Sequence, residues 1–401
     1  MSEWKECKLG DVCLNVLTGG TPSTQVSRYF ENGTVPWLKT KEVNFCRIAK
    51  TENFITEEGV ANSSAKMIPP NSVIIAMYGD TAGRVAINRI PLATNQACCN
   101  LVISDKMADC NFIFYLLWNA YFDLVAMKTG SAQPNLNTSL IKSLDILLPP
   151  LPEQQAIASV LSSLDDKIDL LHRQNKTLET MAETLFRQWF VEEAEEGWEE
   201  TTLVQHTEAF RGLSYKGSGL TENGLGIPMH NLNSVYEGGG YKLEGIKFYN
   251  DEYKERHRIY PGDVIVTNTE QGHDFKLIGF PAIVPDSFGN VGLFSQHIYR
   301  LVPTNQTYLS REFIYYLLMF PSVREQIISA TNGSTVNMLA IDGLQRPTFK
   351  IPPKGKVIEF TKIIVGHWEK MNVNKKQIRT LETLRDTLLP KLMSGEVRVS
   401  L

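Results

Sequence analysis

The chain has no run of about 18 or more apolar residues, so a membrane-crossing helix is not expected. Its opening, MSEWKECKLGDV, has no basic-then-apolar leader pattern, and the expected compartment is the cytoplasm. Cysteine is scarce and one-sided. All six (Cys7, Cys13, Cys46, Cys98, Cys99, Cys110) fall in the first third, and none is spaced as CxxC. A redox or metal site is therefore set aside in favour of small buried hydrophobes in a reduced compartment. Charge of one sign is also missing. Forty basic against 44 acidic residues leave a net charge of −4, which excludes binding to nucleic acid through bulk charge. Any such binding must come from local basic loops on a neutral body.

Catalytic signatures are absent too. There is no G-x-x-x-x-G-K-[ST] phosphate loop, no HExxH and no Asn/Asp-Pro-Pro-aromatic motif; the Pro-Pro pairs follow Ile68, Leu148 and Ile351. The seven histidines are scattered, so no metal site is expected. Glu192-Glu193 with Glu195-Glu196 reads as a solvated acidic hinge rather than a catalytic carboxylate pair. No cofactor is expected, and a small stand-alone hydrolase is disfavoured.

What the chain does have is itself, twice. Residues 149–189 and 352–392 align at an offset of 203 with ten identities, including the whole TLET tetrapeptide at 177–180 and 380–383. Upstream, Trp4 and Leu9 answer Trp198 and Leu203, and IPPNSVIIA (68–76) answers IYPGDVIVT (259–267). Asn95-Gln96 answers Ser295-Gln296, FIFYLL (112–117) answers FIYYLL (313–318), and GSAQPNL (130–136) answers GSTVNML (333–339). The offset drifts while the order holds, as loop insertions in a duplicated chain would produce. Each half has short β-type runs punctuated by turn signals, then a helical apolar segment, a Pro-Pro boundary and a long helix.

The first long helix is expected after Pro152, with Glu153 in its first turn. Steps of four and three give Ile157, Leu161, Leu164, Ile168, Leu171, Asn175, Leu178, Ala182, Leu185 and Trp189. A sustained 3.5-residue spacing marks a coiled-coil seam. The second helix keeps the register through Phe360, Ile364, His367, Met371, Asn374, Ile378, Leu381, Arg385, Leu388 and Leu392, and Gly395 ends it. Each helix either covers its own domain or packs against the other, antiparallel; the second arrangement makes a rod of roughly 50 Å at about 1.5 Å per residue. Asn175 on the seam would help fix register.

These features resemble the specificity subunits of type I restriction–modification enzymes. The resemblance rests on Trp4, Leu9-Gly10-Asp11-Val12, Gly19-Gly20-Thr21-Pro22-Ser23, Gly130-Ser131 with Gln133 and Asn135-Leu136, Leu148 to Gln155, and Leu388 to Glu396, and it spans the whole chain. The second half departs from the pattern: Thr201-Thr202-Leu203-Val204 stands for Lys8-Leu9-Gly10-Asp11, RGLSYKGS for GGTPS, and PPKGKVIEF for PPLPEQQAI. The resemblance implies an α+β fold with two β-rich target-recognition domains (1–150 and 197–352), joined by two long antiparallel coiled-coil helices (151–192 and 353–401). It implies a non-catalytic DNA-binding subunit that reads a bipartite double-stranded target. It also implies two methyltransferase (modification) subunits and an ATP-dependent restriction subunit as partners, with no membrane. The competing reading is a two-domain protein-interaction scaffold without DNA recognition.

DNA contacts are expected from polar and basic side chains on turns leading out of strands. In the first domain these are Lys39 and Lys41 after Pro36-Trp37, then Tyr78, Thr81 and Arg84 of the turn 78–84, then Lys128 with Gln133 and Asn135. In the second they are Gln271, His273 and Lys276, with Arg211, Lys216, His230 and Asn231. Arg84, behind a glycine-rich turn, is the leading candidate.

Overall fold

The computed structural model describes residues 4–127, 135–222, 224–272, 274–333 and 336–399. The chain divides into two compact units, residues 1–172 with 375–401, and residues 173–374. Each contains one β-rich domain and parts of both long helices.

In the first unit the strand Lys5–Lys8 pairs antiparallel with Asp145–Leu148, tying the two ends of the domain together. A five-stranded sheet follows the order Cys13–Thr18, Cys98–Ile103, Val73–Ala76, Val85–Asn88, Cys46–Ile48. A four-stranded sheet carries Asn53–Ile55, Val35–Leu38, Leu92–Thr94 and Met67–Ile68. The central strand Val73–Ala76 is buried at every position, which explains its unbroken apolar run. The helix Cys110–Asn119 starts on Asp109, whose side chain accepts from the Phe112 amide, a standard N-cap.

The second unit repeats the plan. Glu200–Thr202 pairs with Thr348–Lys350 to close the domain. One sheet runs Thr207–Arg211, Ile298–Pro303, Val264–Thr267, Pro281–Ile283, and the helix Arg311–Met319 is capped by Ser310 through the Phe313 amide. The entry to each domain is also the same: Leu9 N–H donates to Leu144 C=O, and Leu203 N–H to Pro347 C=O.

The spacer helices are Leu151–Arg187, extended by a π-turn at Gln188–Glu192, and Lys354–Met393. The first starts at Leu151, ahead of the expected residue after Pro152, because proline is tolerated in a first turn where its missing N–H has no partner to lose. The helices run antiparallel within each unit. In the first, Arg398 reaches Glu153 (3.2 Å) and Arg385 reaches Asp165 (2.9 Å). In the second, Asn374 meets Asn175 while Phe360 lies against Phe186.

Both arrangements weighed for the helices hold at once, because each pairs with the other and also completes a domain core. Ile157, Ala158, Leu161, Leu389 and Leu392 are buried with Phe112 and Tyr115. Ala182, Phe186 and Phe190 are buried with Phe313, Phe360 and Ile364. Elsewhere on the helices of the first unit, Ile168, Leu171 and Ile378 form a small cluster with Leu381 against it. The buried line departs from the expected one toward the end of the first helix. Phe186 and Phe190 are buried, whereas Leu185 and Trp189 are half-buried; Leu164, Leu178 and Leu388 are half-buried too. A 3.6-residue helix drifts from a 3.5 repeat, and here the drift turns the bulkiest residues into the domain core.

Candidate nucleic-acid interface

In the first domain the strand Val73–Ala76 leads into the turn 78–84. Gly79 and Gly83 hold positive φ (70° and 90°), which suits glycine. Gly83 N–H closes the turn on Ala76 C=O at 2.9 Å, and a side chain there would press on Val125 Cγ2 at 3.0 Å. Arg84 follows at once. Its guanidinium donates to Asn44 Oδ1 at 3.0 Å, and the adjoining Phe45 N–H donates to Val85 C=O at 2.7 Å. On the other side Leu136 N–H donates to Met77 C=O, so Asn135 arrives beside the same strand end. Tyr78 is exposed, and Thr81, Arg84 and Asn135 are half-buried. The fold therefore gathers segments 44–45, 78–84 and 135–136. Lys128 and Gln133 lie outside the described residues.

The two lysines are held elsewhere. Lys39 is half-buried, donates to Asn53 Oδ1 at 2.9 Å and lies over the Trp37 ring, so it braces its own domain. Lys41 stays exposed in an ion pair with Glu52, which raises its pKa by hydrogen bonding and charge. A surface pair of this kind holds weakly.

The second domain repeats the hairpin with a longer tip, residues 268–280. Gly279 (φ 76°) closes it on Thr267 C=O at 2.8 Å, as Gly83 does on Ala76. Gln271 and Lys276 are exposed on this tip; Lys276 pairs with Asp274. His273 lies outside the described residues. Arg211 is exposed at the end of its strand, opposite Tyr299, and Lys216 is exposed before the next turn.

His230 and Asn231 are corrections to the expected set. They are 2% and 5% exposed. His230 Nδ1 shares a hydrogen bond with the Tyr241 hydroxyl at 2.6 Å, and burial lowers its pKa to about 4. Asn231 Oδ1 accepts from the Asn233 amide, and its Nδ2 donates to Gly245 C=O at 2.6 Å. Their polar groups are satisfied internally, which is what makes burial affordable.

Several structural residues gave no local signal. Glu270 is buried and accepts three main-chain N–H groups, from Lys276, Leu277 and Ile278. Arg324 is buried against the Phe280 ring, donates to the carbonyls of Phe275 and Ile278, and has its pKa lowered to about 10 by burial. Together they brace the tip 271–278. In the first unit Arg47 grips Asp166 and Asp169 on the spacer helix. These pairings join distant segments, so no spacing rule reaches them. The paired glycines 83 and 279, each just before a strand, were visible in the sequence.

Desolvation pushes up the half-buried Cys13 thiol to about 11 and the buried Cys99 thiol to about 12, and raises Cys98 as well, so none of these is a ready nucleophile. Among the described residues no three His, Cys, Asp or Glu side chains cluster as a metal site, and no helix is long and apolar enough to cross a membrane.

The fold is a duplicated α+β domain in which each copy packs on paired antiparallel helices and ends in a polar hairpin tip. Comparison with known proteins specifies it further. A family signature described as "Type I restriction modification DNA specificity domain" matches residues 1–180. The MjaIX specificity subunit of Methanocaldococcus jannaschii is 29% identical over 99% of this chain and 94% of its own length. The HindI specificity subunit of Haemophilus influenzae is 24% identical over 99% of this chain and all of its own (100%). The crystal structure of the type I restriction–modification S subunit from M. genitalium superposes with a TM-score of 0.63 over 98% of this chain and 96% of that one, at 18% identity, and shares its fold. Residues 1–180 thus match the type I DNA specificity domain, and over almost its whole length the chain is similar to type I restriction enzyme specificity subunits.

Proposed function

We propose that the chain is the non-catalytic DNA-reading subunit of a cytoplasmic type I restriction–modification complex. Residues 1–150 and 197–352 each read one half of a bipartite double-stranded target. The helices at 151–192 and 353–401 space them and dock two modification subunits, and an ATP-dependent restriction subunit joins. The chain itself supplies no cofactor chemistry. The observation that carries this reading is the duplicated hairpin end: the same glycine-closed turn occurs in both domains with different side chains on its tip. Two copies of one frame with divergent tips suit two half-sites of different sequence.

The test is co-expression with the modification partner and sequencing of methylated sites. A split motif is expected. Exchanging residues 1–148 for those of another specificity subunit should change one half of the motif and spare the other. A complex that assembles but methylates no defined sequence would favour the scaffold reading instead.

A further inference from the structure

In both domains a short turn lies directly across from the hairpin tip. Cys98 N–H closes the first turn on Asn95 C=O, and Ile298 N–H closes the second on Ser295 C=O. The neighbouring strand pins each turn in the same way: Met77 N–H donates to Ala97 C=O and Asn268 N–H to His297 C=O. A third segment completes each set, with Leu136 N–H on Met77 C=O and Leu339 N–H on Asn268 C=O. Position for position, the two frames match in main-chain hydrogen bonding.

The residue at the head of each turn is glutamine, and both Gln96 and Gln296 are exposed. Continuing the ladders Cys98↔Ala76 and Ile298↔Thr267 puts Gln96 across from Tyr78 and Gln296 across from Thr269. Each carboxamide is oriented by one neighbour. Thr21 Oγ1 donates to Gln96 Oε1. Gln296 Nε2 contacts His297 Nε2 at 3.3 Å, and His297 Nδ1 contacts Thr269 Oγ1 at 3.2 Å. That chain is consistent if Gln296 donates and the imidazole carries its proton on Nδ1. In both cases at least one amide N–H and at least one oxygen lone pair are left over among the described residues.

We propose that Gln96 and Gln296 are specificity-determining residues that each read an adenine in their own half-site. The proposal rests on the DNA-reading function above. A carboxamide with one free donor and one free acceptor matches adenine N7 and N6–H in the major groove. The tips beside it differ in length, 77–84 against 268–280, yet the glutamine and its frame are the same. A shared reader at a shared position fits a base shared by both half-sites. Thr21 and His297 are positioning residues that hold the amide planes.

The test uses the assembled complex with its modification subunit and a set of duplexes in which each target position is varied. Gln96→Ala is expected to relax an adenine preference at one position of the first half-site by about 10-fold or more, leaving the second half-site unchanged. Gln296→Ala is expected to do the converse. Both side chains are exposed, so thermal melting should match the parent. Unchanged selectivity, or uniform weakening with a shallower salt dependence, as a phosphate contact gives, overturns the proposal. Wild-type half-sites with no fixed adenine overturn it as well. If the wild-type complex reads no defined sequence, the DNA-reading function fails with it; if the wild type reads a split site and the variants do not differ, only the glutamine assignment fails.

Discussion

Arg385 of the second spacer helix and Asp165 of the first form an ion pair at 2.9 Å, with both side chains nearly shielded from solvent, 13% and 10% exposed. Asp165 also accepts from the Tyr115 hydroxyl, and the guanidinium lies 4.5 Å from the Trp118 ring centre. The first domain, the first helix and the second helix thus meet on one carboxylate. Removing one partner of a buried pair strands the other charge. Arg385→Leu should destabilise the chain by about 3 kcal/mol. Adding Asp165→Leu should recover much of that loss. Urea unfolding of the single and double variants checks both; a single variant within about 0.5 kcal/mol of the parent would show the pair to be inert.

Asn374 is fully buried. Its Nδ2 donates to Asn175 Oδ1 at 2.9 Å, while its own Oδ1 has no hydrogen-bond partner among the described residues. The offset of 203 carries Leu171 onto Asn374 and Asn175 onto Ile378, and Leu171 packs with Ile378. By the sequence offset, an apolar contact in one unit and a polar one in the other are therefore counterparts. A buried amide fixes register at a cost in stability. The double variant Asn175→Leu with Asn374→Leu is expected to raise the unfolding free energy by about 1 kcal/mol; a lower denaturation midpoint would mean the amide pair is net stabilising.

Arg84→Ala separates two kinds of contact. Relaxed choice at one base of the first half-site, by about 1–3 kcal/mol of discrimination, is expected if Arg84 reads a guanine edge. Uniform weakening with a shallower salt slope is expected if it grips phosphate. The second domain places Phe280 at the matching position after the glycine and buries its nearby arginine, Arg324. Arg324→Ala should accordingly lower stability before it alters base choice, which melting and site selectivity measured together will show.

His230 sets a pH limit on the second domain. Its folded pKa, about 4, lies below the ordinary value because burial disfavours the cation. The unfolded chain therefore takes up the proton first as pH falls. The native state should lose stability from about pH 6.5 down to about pH 4, by about 3 kcal/mol in all, and none above that window. His230→Gln should flatten this slope in denaturation series run between those values.

Lengthening both spacer helices by one heptad at matched levels should extend them by roughly 10 Å at about 1.5 Å per residue. The gap between methylated half-sites should grow by about three base pairs. An unchanged gap in an active insertion variant would remove the helices as the ruler.

The duplication and the two long helices were legible because they are written in repeated, locally spaced residues. Asn175 and Asn374 were each placed on a seam, but that they meet is read only from the structure. Phe186 and Phe190 were missed because a strict 3.5 step passes beside them. Glu270, Arg324, Arg47 and Asp165 escaped for another reason: each is defined by partners far away in sequence. His230 and Asn231 look like polar turn residues until Tyr241, Asn233 and Gly245 close around them. Gln96 and Gln296 stood in the repeat from the start, but only the ladders showed that they cap the same frame.

That frame is built from peptide groups alone: a turn, a strand end and a returning segment, joined amide to carbonyl in both halves. Amide and carbonyl are common to nearly every residue, so exchanging an exposed side chain at the tips removes none of these bonds. If the tips read DNA as proposed, new target preferences can be sampled by substitution there without first finding a compensating change in the core, and the two domains can drift toward different sequences while remaining interchangeable in construction.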